Sequence, residues 1–197
     1  DSNIDFTGNQ ANVNAFARTR DGDAEAIGLE GSSLDTGSGA DRLNINASAR
    51  TRDGYAEAVG LDASSLDTGS GADRLNIRAS AHTNRGDAEA IGLEGSSLDT
   101  GSGADRLNIR ASAHTNSGDA EAGGGYAEAV GLEDSSLDTG SGADHLNVNA
   151  FARSRDGDAE AVGLEDSSVE TGSGADRLNI NASARSRGGY AEAVGLD

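Results

Sequence analysis

The chain repeats itself every 32 residues. From Leu34 the unit reads LDTGSGADRLNINASARTRDGYAEAVGLDASS, and it returns from Leu66, Leu98, Leu137 and Val169 as (L/V)(D/E)TGSGAD(R/H)LN(I/V). A degenerate copy, IDFTGNQANVN, starts at Ile4. A period of this length fixes the architecture before any finer detail, because it is the mark of stacked repeats. Each unit is too small to bury its apolar face alone and must lay it on its neighbours. The expectation is one repeat domain over residues 1–197, with coils at about 1–33, 34–65, 66–97, 98–136, 137–168 and 169–197.

Within a unit the apolar residues alternate. Leu43, Ile45, Ala47 and Ala49 share one side, and Arg42, Asn44, Asn46, Ser48 and Arg50 share the other. A period of two is a half-buried strand. At an offset of 16, Ala40, Asp41, Leu43, Ile45, Ala47 and Ser48 align with Ala56, Glu57, Val59, Leu61, Ala63 and Ser64. The unit therefore reads as a doubled strand–turn element, with turns at Thr36–Gly39 and Arg52–Tyr55, both dense in turn formers. A helix over YAEAVGLDASSL would carry Gly60 in its middle and lacks a wide 3.6-period stripe. The fold class expected is all-β: a parallel β-solenoid of β-helix or β-roll type, six coils, two strands per coil. At about 4.8 Å per coil it makes a flat rod section about 29 Å long. Two departures fall in turns: seven extra residues around Gly123–Gly125, and a first unit about two residues short with Asn9 where Asp is expected.

Composition supports a thin core. Aromatics are 3%, Trp, Met and Pro are absent, and Gly is 29 of 197. The core must come from Leu, Ile, Val and Ala. Acids number 34 against 15 arginines, with no lysine, for a net charge of −19. No nucleic-acid partner is expected, since phosphate binding needs a basic face. Self-repulsion of this size opposes compaction and calls for an offsetting cation or salt. Disorder, the reading such a composition invites, is opposed by the regular apolar positions. No apolar run is long enough to span a bilayer, so no membrane insertion is expected. Without cysteine the redox compartment is unreadable.

The segment Thr36-Gly37-Ser38-Gly39-Ala40-Asp41-Arg42-Leu43-Asn44 resembles the nonapeptide G-G-x-G-x-D-x-U-x of RTX calcium-binding repeats. Thr replaces the first Gly, and the motif comes once per 32 residues rather than every nine. The resemblance implies calcium held between stacked turns by Asp carboxylates and turn carbonyls. The positions that match are Asp41, Asp73, Asp105, Asp144 and Asp176, with Gly37, Gly39, Gly69, Gly71, Gly101, Gly103, Gly140, Gly142, Gly172 and Gly174 shaping the turns. Calcium takes six to eight oxygens, and a column of stacked carboxylates needs a cation or protons. The same residues also read as a tight turn whose Asp bonds nearby amides. The other turn carries D-G-[DY]-A-E, with Glu25, Glu57, Glu89, Glu128, Glu160 and Glu192, a weaker match. Separately, Gly8-Asn9-Gln10-Ala11-Asn12-Val13-Asn14 resembles the repeat of curli subunits, secreted bacterial fibres of stacked two-strand coils.

The outward Asn44, Asn76, Asn108, Asn147 and Asn179 read either as an amide ladder or as a plain polar face. Arg42, Arg74, Arg106, Arg177 and His145 read either as a solvated face or as a lateral contact with another rod. No Ser/His/Asp set, acid–base pair or phosphate loop appears beyond what the repeats impose, so no enzyme is expected. The last residues, Val194–Asp197, stop at the phase where Asp1–Phe6 resume. The expectation is a secreted structural protein that polymerises head to tail into calcium-stabilised extracellular filaments, as matrix, sheath or surface fibre, with lateral bundling as an option. The alternative is a stalk segment of a long RTX-like adhesin.

Overall fold

A computed structural model of the chain describes residues 3–5, 10–116 and 125–197. These form a parallel β-solenoid of six coils, with no helix among the described residues. No described helix is long and apolar enough to cross a membrane.

Each coil contributes to three six-stranded parallel sheets. The first sheet takes the long alternating strand, Arg42–Arg50 in the second coil; the second takes Ala56–Asp62; the third takes Ser65–Asp67. The two long strands are those the alternation anticipates. The third corrects the count of two strands per coil: Ser65-Leu66-Asp67 pairs with Ser33–Asp35 on one side and Ser97–Asp99 on the other. A three-residue strand with a single apolar side chain carries too little alternation to be read. The half-repeat at offset 16 is also not structural. Ala40 is exposed in a turn, whereas Ala56 is buried in a strand.

Identical residues stack. Leu43 pairs with Leu75, Ile45 with Ile77, Ala47 with Ala79. The ladder crosses the insertion without slipping, since Leu107 pairs with Leu146 and Ile109 with Val148. Residues 117–124, which hold most of the seven-residue insertion, and Asn9 lie outside the described residues. The short first unit holds its phase as well: Ile4 pairs with Leu34, 30 residues on, while Ala11 pairs with Leu43, 32 on.

The interior divides along each coil. Ala47, Ala49, Ala56 and Ala58 with their equivalents form an all-alanine half, where the first and second sheets lie close. Leu43, Ile45, Leu61 and Leu66 with theirs fill the wider half, closed by the third sheet. Each fully buried Leu or Ile contributes about 1.5–3 kcal/mol. The second strand touches the first most tightly at Gly60. A methyl added there would sit 2.5 Å from Ile77 Cγ2 and would overlap the Gly92 carbonyl oxygen. The pairing register passes over Gly60. Val59, Ile91, Val130 and Val162 form a separate buried column on this strand. The corner into the third strand is left-handed, at Gly31, Ala63, Gly95, Asp134 and Asp166 (φ 44–53°).

Candidate functional site

The TGSGAD turn is built locally and then locked between coils. Asp67 Oδ1 accepts the Gly69 amide at 2.8 Å, an Asx turn. The turn glycines have φ of 73° and 150° at Gly69 and Gly71. A side chain at either would overlap the carbonyl of the coil before it. At the Gly-Ser-Gly apex the turns bond to each other backbone to backbone. Ser70 N donates to Gly37 O at 3.2 Å and Ser102 N to Gly69 O at 3.0 Å, while Gly39 N and Gly71 N donate to Ser70 O and Ser102 O at 2.7 Å.

The five aspartates form the expected column. Asp41, Asp73, Asp105 and Asp144 point inward and are buried; Asp176, in the last coil, is half-buried. Each links to the next through its carboxylate. Asp41 N donates to Asp73 Oδ1 and Asp73 N to Asp105 Oδ1 at 2.8 Å, Asp105 N to Asp144 Oδ1 at 2.9 Å, and Asp144 N to Asp176 Oδ1 at 3.1 Å. The other oxygen is different: Oδ2 of Asp73, Asp105 and Asp144 is buried without a hydrogen-bond partner. Sequence reasoning found the column, but not this split between the two oxygens. It also did not anticipate the hydrogen bonds of the one threonine per coil beside it. Thr36, Thr68, Thr100 and Thr139 are buried, and each hydroxyl donates to the threonine carbonyl one coil on at 3.3–3.4 Å.

These bonds decide what the column can hold. One carboxylate oxygen and the turn carbonyls of Gly37, Gly69 and Gly101 are engaged in the ladder. One free carboxylate oxygen per coil remains, and among the described residues no three acidic or histidine side chains converge. The side chains alone fall short of the six to eight oxygens calcium takes, so an ion held between turns in the RTX manner would need backbone carbonyls outside this ladder, such as those of Gly39, Gly71 and Gly103. The column also fits protons. Thr36 Oγ1 lies 3.2 Å from Asp41 Oδ2 and 3.4 Å from the Thr68 carbonyl oxygen. The hydroxyl carries one proton, and the carboxylate oxygen is the nearer of its two acceptors. Burial pushes the carboxyls of Asp73 and Asp105 above the usual range; the amide bonds and the hydroxyls of Thr68 and Thr100 oppose the rise, and neighbouring aspartates add to it. Two carboxylates a coil apart, about 4.8 Å, would repel by about 3 kcal/mol at an effective dielectric constant near 20.

The glutamates of the D-G-[DY]-A-E turn lie on the second sheet. Glu57 and Asp62 of the second coil, with their equivalents, make two columns. Burial first, then the stacked Glu89 and Glu160, raise Glu128 to about 7. Burial with Glu94 and Glu165 raises Glu133 to about 7. The tyrosines of the Arg52–Tyr55 turn cap this column. The Tyr55 hydroxyl reaches Glu89 and the Tyr126 hydroxyl reaches Glu160. Their alternation with Asp has a backbone cause: Tyr55, Tyr126 and Tyr190 donate their amides to Asp23, Asp87 and Asp158 at 2.7–3.0 Å.

The polar face of the first sheet is an amide ladder in part. Asn44 Nδ2 donates to Asn12, Asn76 to Asn44 and Asn179 to Asn147, at 2.9–3.3 Å. His82 and His114 stack with ring centroids 4.9 Å apart.

Compared with protein-family models, curated proteins and solved structures, the chain matches none. What stands is a parallel β-solenoid of six turns, compatible with RTX-like repeats.

Proposed function

We propose that this chain is an extracellular structural protein whose coils continue from copy to copy, building a head-to-tail filament. The observation that carries this is the unbroken stacking: every coil presents the next with an apolar face of equivalent residues in register, so any coil face is complementary to a further coil of this sequence. Leu178 and Leu196 in the sixth coil are 46% and 68% exposed, against 1% and 4% for Leu146 and Leu164 one coil earlier. A further coil of the same sequence would bury both, at about 1.5–3 kcal/mol per side chain. It would also pair the unmet strand edges, which otherwise template addition of another chain. At the opposite end Ala11, Val13, Ala15 and Ala17 are half-buried and in register with Leu43, Ile45, Ala47 and Ala49. The two ends are thus unlike surfaces that fit each other, and such a contact repeats without closing. The extracellular setting rests on the resemblance to RTX and curli repeats.

The test is electron microscopy of the purified chain with calcium and after thorough chelation. Filaments one solenoid wide under both conditions are expected. Monodisperse particles at high concentration would overturn the filament. Filaments that dissolve on chelation would return the Asp column to calcium. A native polypeptide far above 20 kDa would make these coils part of a stalk.

A further inference from the structure

Most of the 34 acids lie in turns, in the Asp column and on the third strands, but the charges of the first and second sheets are sorted by sign onto two opposite faces. The first and second sheets pack on each other through alanine, so their outer faces point away from each other. Every arginine lies on a first-sheet strand or in the turn that follows it. The outward positions of the first sheet are Arg, Asn, Ser, His and Phe, with no Asp or Glu. The second-sheet strands carry two carboxylates in each of the first five coils, one in the sixth, and no arginine. Among the described residues the ion pairs are Arg52–Asp53 and Arg85–Asp53, both in the turn. Among the described residues no ion pair neutralises either face, and Glu128 and Glu133, raised to about 7, carry full charge only above that value.

We infer that the two faces neutralise each other between copies: the arginine face of one solenoid docks on the carboxylate face of a second, with coil axes parallel. Three features of the page commit the face to a second copy. The charges match in number, since the third coil offers Arg74 and Arg78 against two carboxylates per coil, and the fourth offers Arg106 and Arg110. They match along the strand. Those arginines are four residues apart, about 13 Å, and Glu89 and Glu94 are five apart across the Gly92 irregularity, about 13–16 Å. They match along the axis over the third and fourth coils, where Arg74 and Arg78 stack on Arg106 and Arg110 at about 4.8 Å, the spacing at which the second-sheet carboxylates also repeat. The area suffices as well. A face seven residues by six coils is about 23 by 29 Å, giving about 1,300 Å² buried over both partners, within the range of stable interfaces. Such a contact is heterologous: each docked pair keeps one unused face of each sign, and docking continues sideways into ribbons.

This association is separate from axial addition, since it uses no coil edge, and it is read separately. Sedimentation of the native chain at about 20 mM salt is expected to show lateral oligomers, with the association constant falling at least tenfold at about 0.5 M, where screening is complete within about 4 Å. Two variants then test the pairing of faces: one with Arg74, Arg78, Arg106 and Arg110 changed to Gln, the other with Glu94, Glu128 and Glu133 changed to Gln. Each alone is expected to lose lateral association while keeping its circular dichroism. Mixed, they are expected to form one-to-one pairs that do not extend, because each retains the face the other lacks. If axial filaments form, they persist in both variants at single width; if they do not form, the pairs are still read on single solenoids. Continued bundling of either variant alone, association that rises with salt, or association of the native chain only after inorganic polyphosphate is added would overturn the inference.

Discussion

The glycine column of the second sheet gives a perturbation that acts on the joint between copies and not on the subunit. Gly28 and Gly60 each leave room for the coil that follows. A methyl at either would sit 2.5 Å from the branched methyl of Ile45 or Ile77 and overlap the carbonyl of the next glycine. Gly195 occupies the same position in the last coil and has nothing within 4 Å. Gly195→Ala is therefore expected to leave thermal unfolding unchanged. An incoming first coil would bring Val13 and Gly28 against that methyl, about 1 Å inside the optimum for non-bonded carbon contact. Overpacking of this kind costs about 1–3 kcal/mol, which is about 5- to 150-fold in the axial association constant. The assay is the critical concentration for pelletable filaments, measured beside the melting temperature. The interior control, Gly92→Ala, meets the same overlap within the subunit and is expected to lower Tm by about 2–12 °C. A critical concentration unchanged by Gly195→Ala, with Gly92→Ala destabilising as expected, would refute the proposed axial joint.

Glu128 and Glu133 are held near 7 from an ordinary 4.5. The folded chain therefore binds more protons than the unfolded chain between those values. Its stability is full below about 4.5 and is lost as pH rises through about 7. Discounted for partial exposure, the pair contributes about 1 kcal/mol each, or about 4–8 °C in Tm between pH 5.5 and pH 8. Glu128→Gln with Glu133→Gln should flatten that slope in a calorimetric series. His82, lowered by burial first and then by His114 and Arg50, works in the opposite direction below about 6.5. Asp105→Asn keeps the acceptor for the Asp73 amide and supplies a proton where Oδ2 has no partner. Denaturant unfolding at pH 8 without calcium should show a gain of about 1–3 kcal/mol that vanishes at pH 4. A loss at pH 8 would reject the protonated column. Ala63 holds φ at 45°, so Ala63→Gly should relieve a left-handed corner and raise stability by up to about 1 kcal/mol in the same assay.

The period, the inward set Leu43, Ile45, Ala47 and Ala49, and the burial of Asp41 were legible because parity along a strand is local. Three things were not. The strand Ser65–Asp67 is too short to carry a pattern, and its existence depends on Leu66 closing the wide end of the core over Leu43 and Leu61. The fate of each aspartate oxygen depends on which amide of the neighbouring coil faces it, and only the stacking register sets that. The sorting of charge is present in the sequence, but the net charge conceals it. It emerges when Arg42 and Glu57 are assigned to sheets that face opposite ways.

The central claim is that open coil edges of separate copies join along the solenoid axis. Cryo-electron microscopy of assembled filaments measures it most directly. The account predicts strands perpendicular to the filament axis at about 4.8 Å spacing, unbroken across subunit boundaries, with a subunit repeat near 29 Å from six coils. Filaments with strands along the axis, or a gap in the strand spacing at every sixth coil, would contradict it.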